Sequence, residues 1–273
     1  MRKTIHLIQI MRLFWELTKI SFQRHLTYRT AAIAGLVTNF FFGILRAMIL
    51  VALYDLQPSV EGISIKGAIT YAALSQALIG FLSMFHWYDL MNTIYTGDVA
   101  SDLLKPMNYF RFWMAQDLGR ALVQLILRGF TLLFAFTFVF DLYWPKTLPC
   151  LFGLLLSIPL GWLVSFSWRF LINLSAFWTP NARGILRFIF VLSWFFSGFL
   201  MPLRFFPEWV IRIAHLMPFP YMFNTVVEIY LGILNGPELI QAILYQVLWG
   251  LGLIFIGQLI LRMGVRRLVV LGG

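Results

Sequence analysis

Ser83, His86 and Asp89 follow one another at intervals of three, the one place where a nucleophile, a base and an orienting acid can be written in order. On a single helix that spacing stacks the three side chains along one face, with no oxyanion donor beside them, so a local His86/Asp89 pair is the simpler expectation. Ser75, Ser157, Ser165 and Ser193 stand in apolar surroundings without a nearby His or acid, where a hydroxyl bonds to the backbone or to a neighbouring helix. His6, His25, His86 and His215 share no ligand spacing, so no metal is expected. Cys150 is the only cysteine, which excludes a disulfide within the chain and leaves a small apolar filler. There is no G-x-x-x-x-G-K-[ST], hence no phosphate cradle and no ATP site of its own. The remaining candidates are arginines in apolar runs: Arg46, Arg128 and Arg169. A charge there snorkels, pairs or lines a wet cavity. Arg46 and Arg169, near run ends, are expected to snorkel. Arg128 lies deepest and is the candidate for a substrate pathway carrying an anion, together with the polar residues Asn39 and Gln76.

These residues are set in a chain that is 60% hydrophobic and 12% charged over 273 residues, too little polar surface to coat a soluble particle. An all-α integral membrane protein is expected. The net charge of +10 would suggest nucleic acid in a soluble protein; here a one-sided distribution about a bilayer explains it better, and no nucleic-acid partner is expected. Spans need about 20 apolar residues. The runs Ala31 to Tyr54, Gly67 to Tyr88, Leu118 to Phe140, Thr147 to Phe170 (kinkable at Pro159), Ile185 to Leu203 and Leu239 to Leu261 predict six, within one domain over 1–273. Residues 1–29 mix Ile8, Met11, Phe14 and Trp15 with Arg12, Glu16 and Lys19, an interfacial amphipathic helix without the features of a removable signal.

Lys and Arg concentrate in 1–29, 89–117, 178–184 and 262–273, which places those segments and both termini in the cytoplasm. Residues 205–232, broken by Pro207, Pro218 and Pro220 yet rich in Trp209, Tyr221 and Tyr230, predict an outer re-entrant helical hairpin. Gly35 and Gly43 on the first run are candidates for packing between two copies.

Between the second and third runs stands TGDVASDLLKP, residues 96–106. It reads as a short helix over 98–105: Gly97 precedes it, Asp98 is the expected N-cap, Lys105 suits the last turn, and Pro106 stops it. Val99, Leu103 and Leu104 give it an apolar side that needs a receiver.

The order of these elements, with Tyr95-Thr96-Gly97-Asp98 followed by Asp102-Leu103-Leu104-Lys105-Pro106 and Asn108, and with Phe206-Pro207-Glu208-Trp209, Pro218 and Tyr221 leading to Leu231-Gly232, resembles the permease subunits of type-2 ABC exporters, in particular their bacterial branch. The resemblance implies the type-2 exporter fold in a bacterial cytoplasmic membrane. It also implies a dimer with an identical or different permease, and partner ABC ATPase subunits that hold ATP and Mg while this chain holds no cofactor. Residues 98–105 become the coupling helix, with Gly97, Asp98, Val99, Asp102, Leu103, Leu104, Lys105 and Pro106 facing the ATPase, Asp102 toward a basic group there. An ion-coupled carrier or channel, and a membrane-embedded lipid-modifying enzyme, are the alternatives.

Overall fold

The computed structural model describes residues 2–27, 29–54, 57–179 and 182–267, with side chains from residue 9 to 27 and from 33 onward. Expectations resting on His6, Asp55, residues 180–181, residues 268–273 and the side chains of residues 1–8 and 28–32 lie outside the described residues.

Apolar runs without water can satisfy their backbone only within the segment, so helix is the local solution. In chain order the helices are α1 Arg2–Leu26, α2 Arg29–Ala52, α3 Ile65–Ile79, α4 Asp89–Thr96, α5 Val99–Leu103 and α6 Tyr109–Gln124. A π segment, Leu125–Phe130, carries α6 into α7 Thr131–Phe136. Then follow α8 Leu148–Asn173, ending in a 3-10 turn Leu174–Phe177, α9 Ala182–Phe196, α10 Glu208–His215, α11 Asn224–Tyr230 and α12 Gly236–Val265. One feature departs from the all-α expectation. Strands β1 Ser59–Val60 and β2 Ile63–Ser64 pair antiparallel before α3. Glu61 and Gly62 between them both take positive φ, 48° and 78°, as a two-residue I′ turn requires.

Among the described residues four helices are long and apolar enough to cross a bilayer: Ile33–Ala52, Tyr109–Phe136, Leu148–Phe177 and Gly236–Val265. α8 runs through Pro159 without a break. The second and fifth runs give helices of only 15 residues each, α3 and α9. At about 1.5 Å per residue each covers roughly 22 Å, short of a hydrocarbon core of roughly 30 Å. Apolar composition carried the predicted runs to Tyr88 and Leu203. The backbone leaves the helix earlier, because Ser83 sits at φ 49°, and Gly198 at φ 75° with Pro202 follows α9.

α3 is the centre of one half: 12 of its 15 residues are buried. α2 and α7 pack on it through Gly43, where an added Cβ would stand 2.6 Å from Phe136 Cζ and 3.1 Å from Gln76 Cγ. At Gly35 an added Cβ would stand 2.2 Å from Arg128 Nη2. These glycines, expected to serve contact between copies, receive side chains of their own chain. α8 and α12 lie together along their length, Gly153 meeting Leu239 at one end and Gly264 meeting Phe177 at the other. α1 is docked on α6 rather than merely beside it. Thr18 and Ser21 are buried, Ser21 Oγ donates to the Gln116 carbonyl at 2.6 Å, and a Cβ on Gly119 would stand 2.4 Å from the Thr18 carbonyl oxygen. Small residues permit that close approach.

Within residues 205–232 stand two short helices, α10 and α11, joined by a turn that contains Pro218 and Pro220, with α11 packed on α8. Buried Glu228 accepts from Arg204 Nε at 2.8 Å, tying α11 to the chain that enters α10. Outward-facing Ile33, Val37, Phe41 and Met48 on α2, Phe152 and Leu155 on α8, and Leu251 and Phe255 on α12 leave broad apolar faces exposed. A multi-pass membrane protein needs such a surface; a soluble one would aggregate through it.

Candidate functional site

α4 ends where Gly97 adopts the left-handed conformation, φ 83°, its N–H donating to the Ile94 carbonyl. A β-carbon disfavours that conformation, which is why glycine stands between two helices only two residues apart. Asp98 stands at the N-cap position as expected, but its side chain does not cap the helix. Its own backbone is already helical, and its carboxylate accepts from Thr96 Oγ1 at 2.7 Å instead of from the first-turn N–H groups.

The apolar side of α5 also differs from the expectation. Val99 is 0% exposed and Asp102 7%, both turned into this chain, while Leu103 is half-buried against the core and Leu104 is 86% exposed. Asp102 accepts from Lys105 Nζ at 2.5 Å, and that ammonium lies 3.9 Å from the centre of the Phe112 ring. A basic partner from outside is therefore not what Asp102 lacks. The free face consists of Gly97, Asp98, Ala100, Ser101, Leu104 and Pro106. Neighbouring bonds make the segment stiff: Tyr95 donates its hydroxyl proton to the Thr179 carbonyl (2.9 Å) and accepts from Ala182 N–H (2.8 Å). Asn108 Oδ1 accepts from Arg111 N–H and from Gln258 Nε2 of α12.

Beneath this end lies a cluster that reading the sequence missed. Asp117, 2% exposed, accepts two parallel bonds from Arg169, Nη1 to Oδ1 at 3.0 Å and Nη2 to Oδ2 at 2.9 Å. It also accepts from Arg120 Nε and Trp162 Nε1, each at 2.9 Å. Arg169 is 1% exposed, so its expected snorkelling does not occur; a fully paired carboxylate in the protein interior replaces the interface as its partner.

The same cluster satisfies the irregular chain 80–88. Arg120 donates to the Gly80 and Phe81 carbonyls, Ser165 to Leu82, Trp194 Nε1 to Met84, and Asn173 to Trp87. Asn173 Oδ1 then accepts from Met91 N–H at 3.1 Å. Buried non-helical backbone survives only where other groups take over its bonds, and side chains from α6, α8 and α9 do so here. Ser83, His86 and Asp89 consequently share no helix: Ser83 has positive φ, the His86 ring stacks on Tyr88, and Asp89 opens α4. Among the described residues no bond or ion pair joins His86 to Asp89. The lone cysteine is more than filler, since Cys150 Sγ donates to the Ile229 carbonyl at 2.8 Å and links α8 to α11.

Between α2, α3 and the π segment are two adjoining cavities of about 460 Å³ and 420 Å³, which share Asn39 and Phe85 in their linings. The first holds Arg120, Gln124 and Arg128; the second holds Gln76 and Arg46. Arg128 projects from the π segment, a local widening of the helix that recurs at functional positions. Its Nη1 donates to Gln124 Oε1 at 3.0 Å, and its buried Nε has no partner. Asn39 is 9% exposed and its Nδ2 has no partner either. Arg46 does not snorkel: Nη1 donates to Ser75 Oγ and to the Phe199 carbonyl, both at 2.8 Å, and the guanidinium lies 4.8 Å from the Phe199 ring centre. Arg128, Asn39 and Gln76, each on a different run of the sequence, thus line one pair of cavities.

The family model for ABC-2 family transporter proteins matches residues 40–272. The chain belongs to the ABC-2 transporter family. No curated protein matches it. As an ABC-2 permease it is a component of membrane transport, from a family whose permeases normally partner with ABC ATPase subunits. In this permease the buried cluster and the cavities are contiguous, because Arg120 both bonds Asp117 and lines the first cavity. The short helix after Gly97 joins the same body through α4, whose Met91 N–H is held by Asn173.

Proposed function

We propose that this chain is the membrane half of an ATP-driven exporter that moves its substrate outward by alternating access, with ATP and Mg held by separate ATPase subunits. The observation that carries this reading is the free face at Gly97–Pro106. A stiff, half-buried helix presents Leu104 almost entirely exposed at one end of a permease, and an ATPase cleft is the receiver that such a knob lacks. A rigid path leads inward from it, from α4 to Asn173, Arg169, Asp117 and Arg120, ending at the cavity that holds Arg128. A push on α5 is transmitted to the substrate lane because no link in that path is a loose side chain. The test is co-expression with a candidate ABC ATPase: the two should purify together, and ATP hydrolysis should depend on both chains. Hydrolysis or transport by this chain alone would overturn the reading.

The arrangement that goes with it is a permease dimer in a bacterial cytoplasmic membrane, six passes with α3 and α9 completed by non-helical chain, both termini and α5 cytoplasmic, and the α10/α11 hairpin re-entering from outside. The excess of Lys and Arg at the α5 end supports that orientation. Single cysteines at Lys105 and at Pro207, both exposed, in a Cys150→Ser background, should react with an impermeant maleimide from opposite sides of the membrane. Serine keeps the bond to the Ile229 carbonyl. Labelling of both from one side would refute the six-pass arrangement.

The cavities are the substrate lane on this reading, with Arg128, Asn39 and Gln76 along it. An arginine bonded only to a neutral amide keeps its full charge for a ligand, so the substrate carries a negative charge.

A further inference from the structure

We infer that the lane binds an anionic amphiphile, one phosphate or carboxylate headgroup on an aliphatic tail, at two guanidinium stations set at different heights along α2; this rests on the permease reading above. The first station is Arg128 with Asn39. Both unpartnered atoms there, Arg128 Nε and Asn39 Nδ2, are donors, and both belong to residues that line the same cavity. Two orphaned donors beside an uncompensated charge select an anionic acceptor, and they reject a cation or a neutral donor. Gly35 keeps the site open, since any side chain there would collide with the Arg128 guanidinium. The paired arginines nearby make the contrast: Arg120 and Arg169 have a carboxylate and a bond from every guanidinium nitrogen, whereas Arg128 and Arg46 form no ion pair among the described residues. Asp89, the one carboxylate in either lining, opens α4 beyond the irregular segment.

The second station is Arg46. It stands seven residues after Asn39, two helical turns along the same stripe of α2, a rise of about 10 Å at roughly 1.5 Å per residue. Its hydrogen-bond partners, Ser75 Oγ and the Phe199 carbonyl, are neutral. Between and around the stations the wall of the second cavity is apolar, and Phe42, Leu45 and Ile49 of that wall are also exposed on the outer face of α2. A headgroup can therefore move from one arginine to the other while its tail stays on the apolar side. A free inorganic anion gains nothing from that wall.

The test uses the permease with its ATPase in phosphatidylcholine nanodiscs and measures binding of dodecyl phosphate, with dodecyltrimethylammonium and inorganic phosphate as comparison ligands. Dodecyl phosphate should bind, and Arg128→Gln and Arg46→Gln should each weaken it about tenfold, the loss of one charge-assisted contact. Arg128→Lys, which keeps the charge, should retain most of the binding and guards against a mere folding defect. Equal binding of the trimethylammonium compound, or an unchanged affinity in both glutamine variants, would overturn the inference. So would inorganic phosphate competing at the same concentration, which would make the ligand a free anion. A second permease copy covering this face of α2 would shut out the tail, and dodecyl phosphate would then show no specific binding, which also counts against it. Failure of binding while wild type still retains its ATPase refutes the amphiphile alone; failure of wild type to retain any ATPase refutes the permease reading beneath it.

Discussion

Asp117→Ala should be the most damaging single change in the chain, lowering the melting temperature in detergent by on the order of 10 °C. The substitution leaves Arg169, 1% exposed, and most of Arg120 without a counter-charge, and strands Trp162 Nε1. Breaking one side of a buried ion pair costs about 3–5 kcal/mol, because the remaining charge stays desolvated. The effect should spread to residues 80–88, whose carbonyls depend on Arg120, and show there as faster hydrogen exchange. Removing the charges together should be far milder: Asp117→Leu with Arg169→Met and Arg120→Met replaces the ion cluster by apolar volume, a kind of exchange that is often neutral. If Asp117→Ala melts at the wild-type temperature, the cluster is not what holds the broken second run in place.

The second large effect is expected at Leu104. Leu104→Asp should leave the permease folded and inserted, because the side chain is 86% exposed, yet the variant should fail to retain its ATPase in detergent. Losing an apolar anchor at the centre of an interface costs about 2 kcal/mol or more, roughly thirtyfold in affinity, and a carboxylate in its place adds desolvation. Changes at Val99 or Asp102 test something different. Val99→Ala opens a hole in this chain's own core, and Asp102→Lys breaks the pair with Lys105 and sets two ammonium groups side by side. Both should lower stability before they touch the partner. ATPase retention at wild-type levels by Leu104→Asp, with normal transport, would remove α5 from the coupling role.

Much was legible without coordinates. The apolar excess demanded lipid as solvent, and Gly97 with Pro106 marked a short helix between the second and third runs. The three prolines between 207 and 220 marked a stretch where a continuous span would fail, and Arg128 stood out as the deepest charge in an apolar run. Each of these signals is local or compositional: residue type alone sets the backbone conformation or the transfer free energy, so no knowledge of neighbours is needed.

What the linear chain left undecided depends on which groups meet. Arg169 and Asp117 stand 52 residues apart, and nothing in either neighbourhood announces the other. A charge near the end of an apolar run points to the interface, yet a buried carboxylate holds Arg169. The second run looked like a single helix up to Tyr88 because hydropathy counts side chains and ignores backbone; the helix ends at Ile79 because side chains from three other helices satisfy the carbonyls beyond it. The inward and outward sides of α5 were likewise undetermined, since Val99, Leu103 and Leu104 are equally apolar and only the packing of α4, α5 and the core selects Leu104 for exposure. Composition thus settled the solvent of this permease and punctuation marked some of its short elements, while long-range pairing settled where its charges rest and where the second run leaves the helix, because the cost of burying a charge or a peptide group is decided by its partner in space.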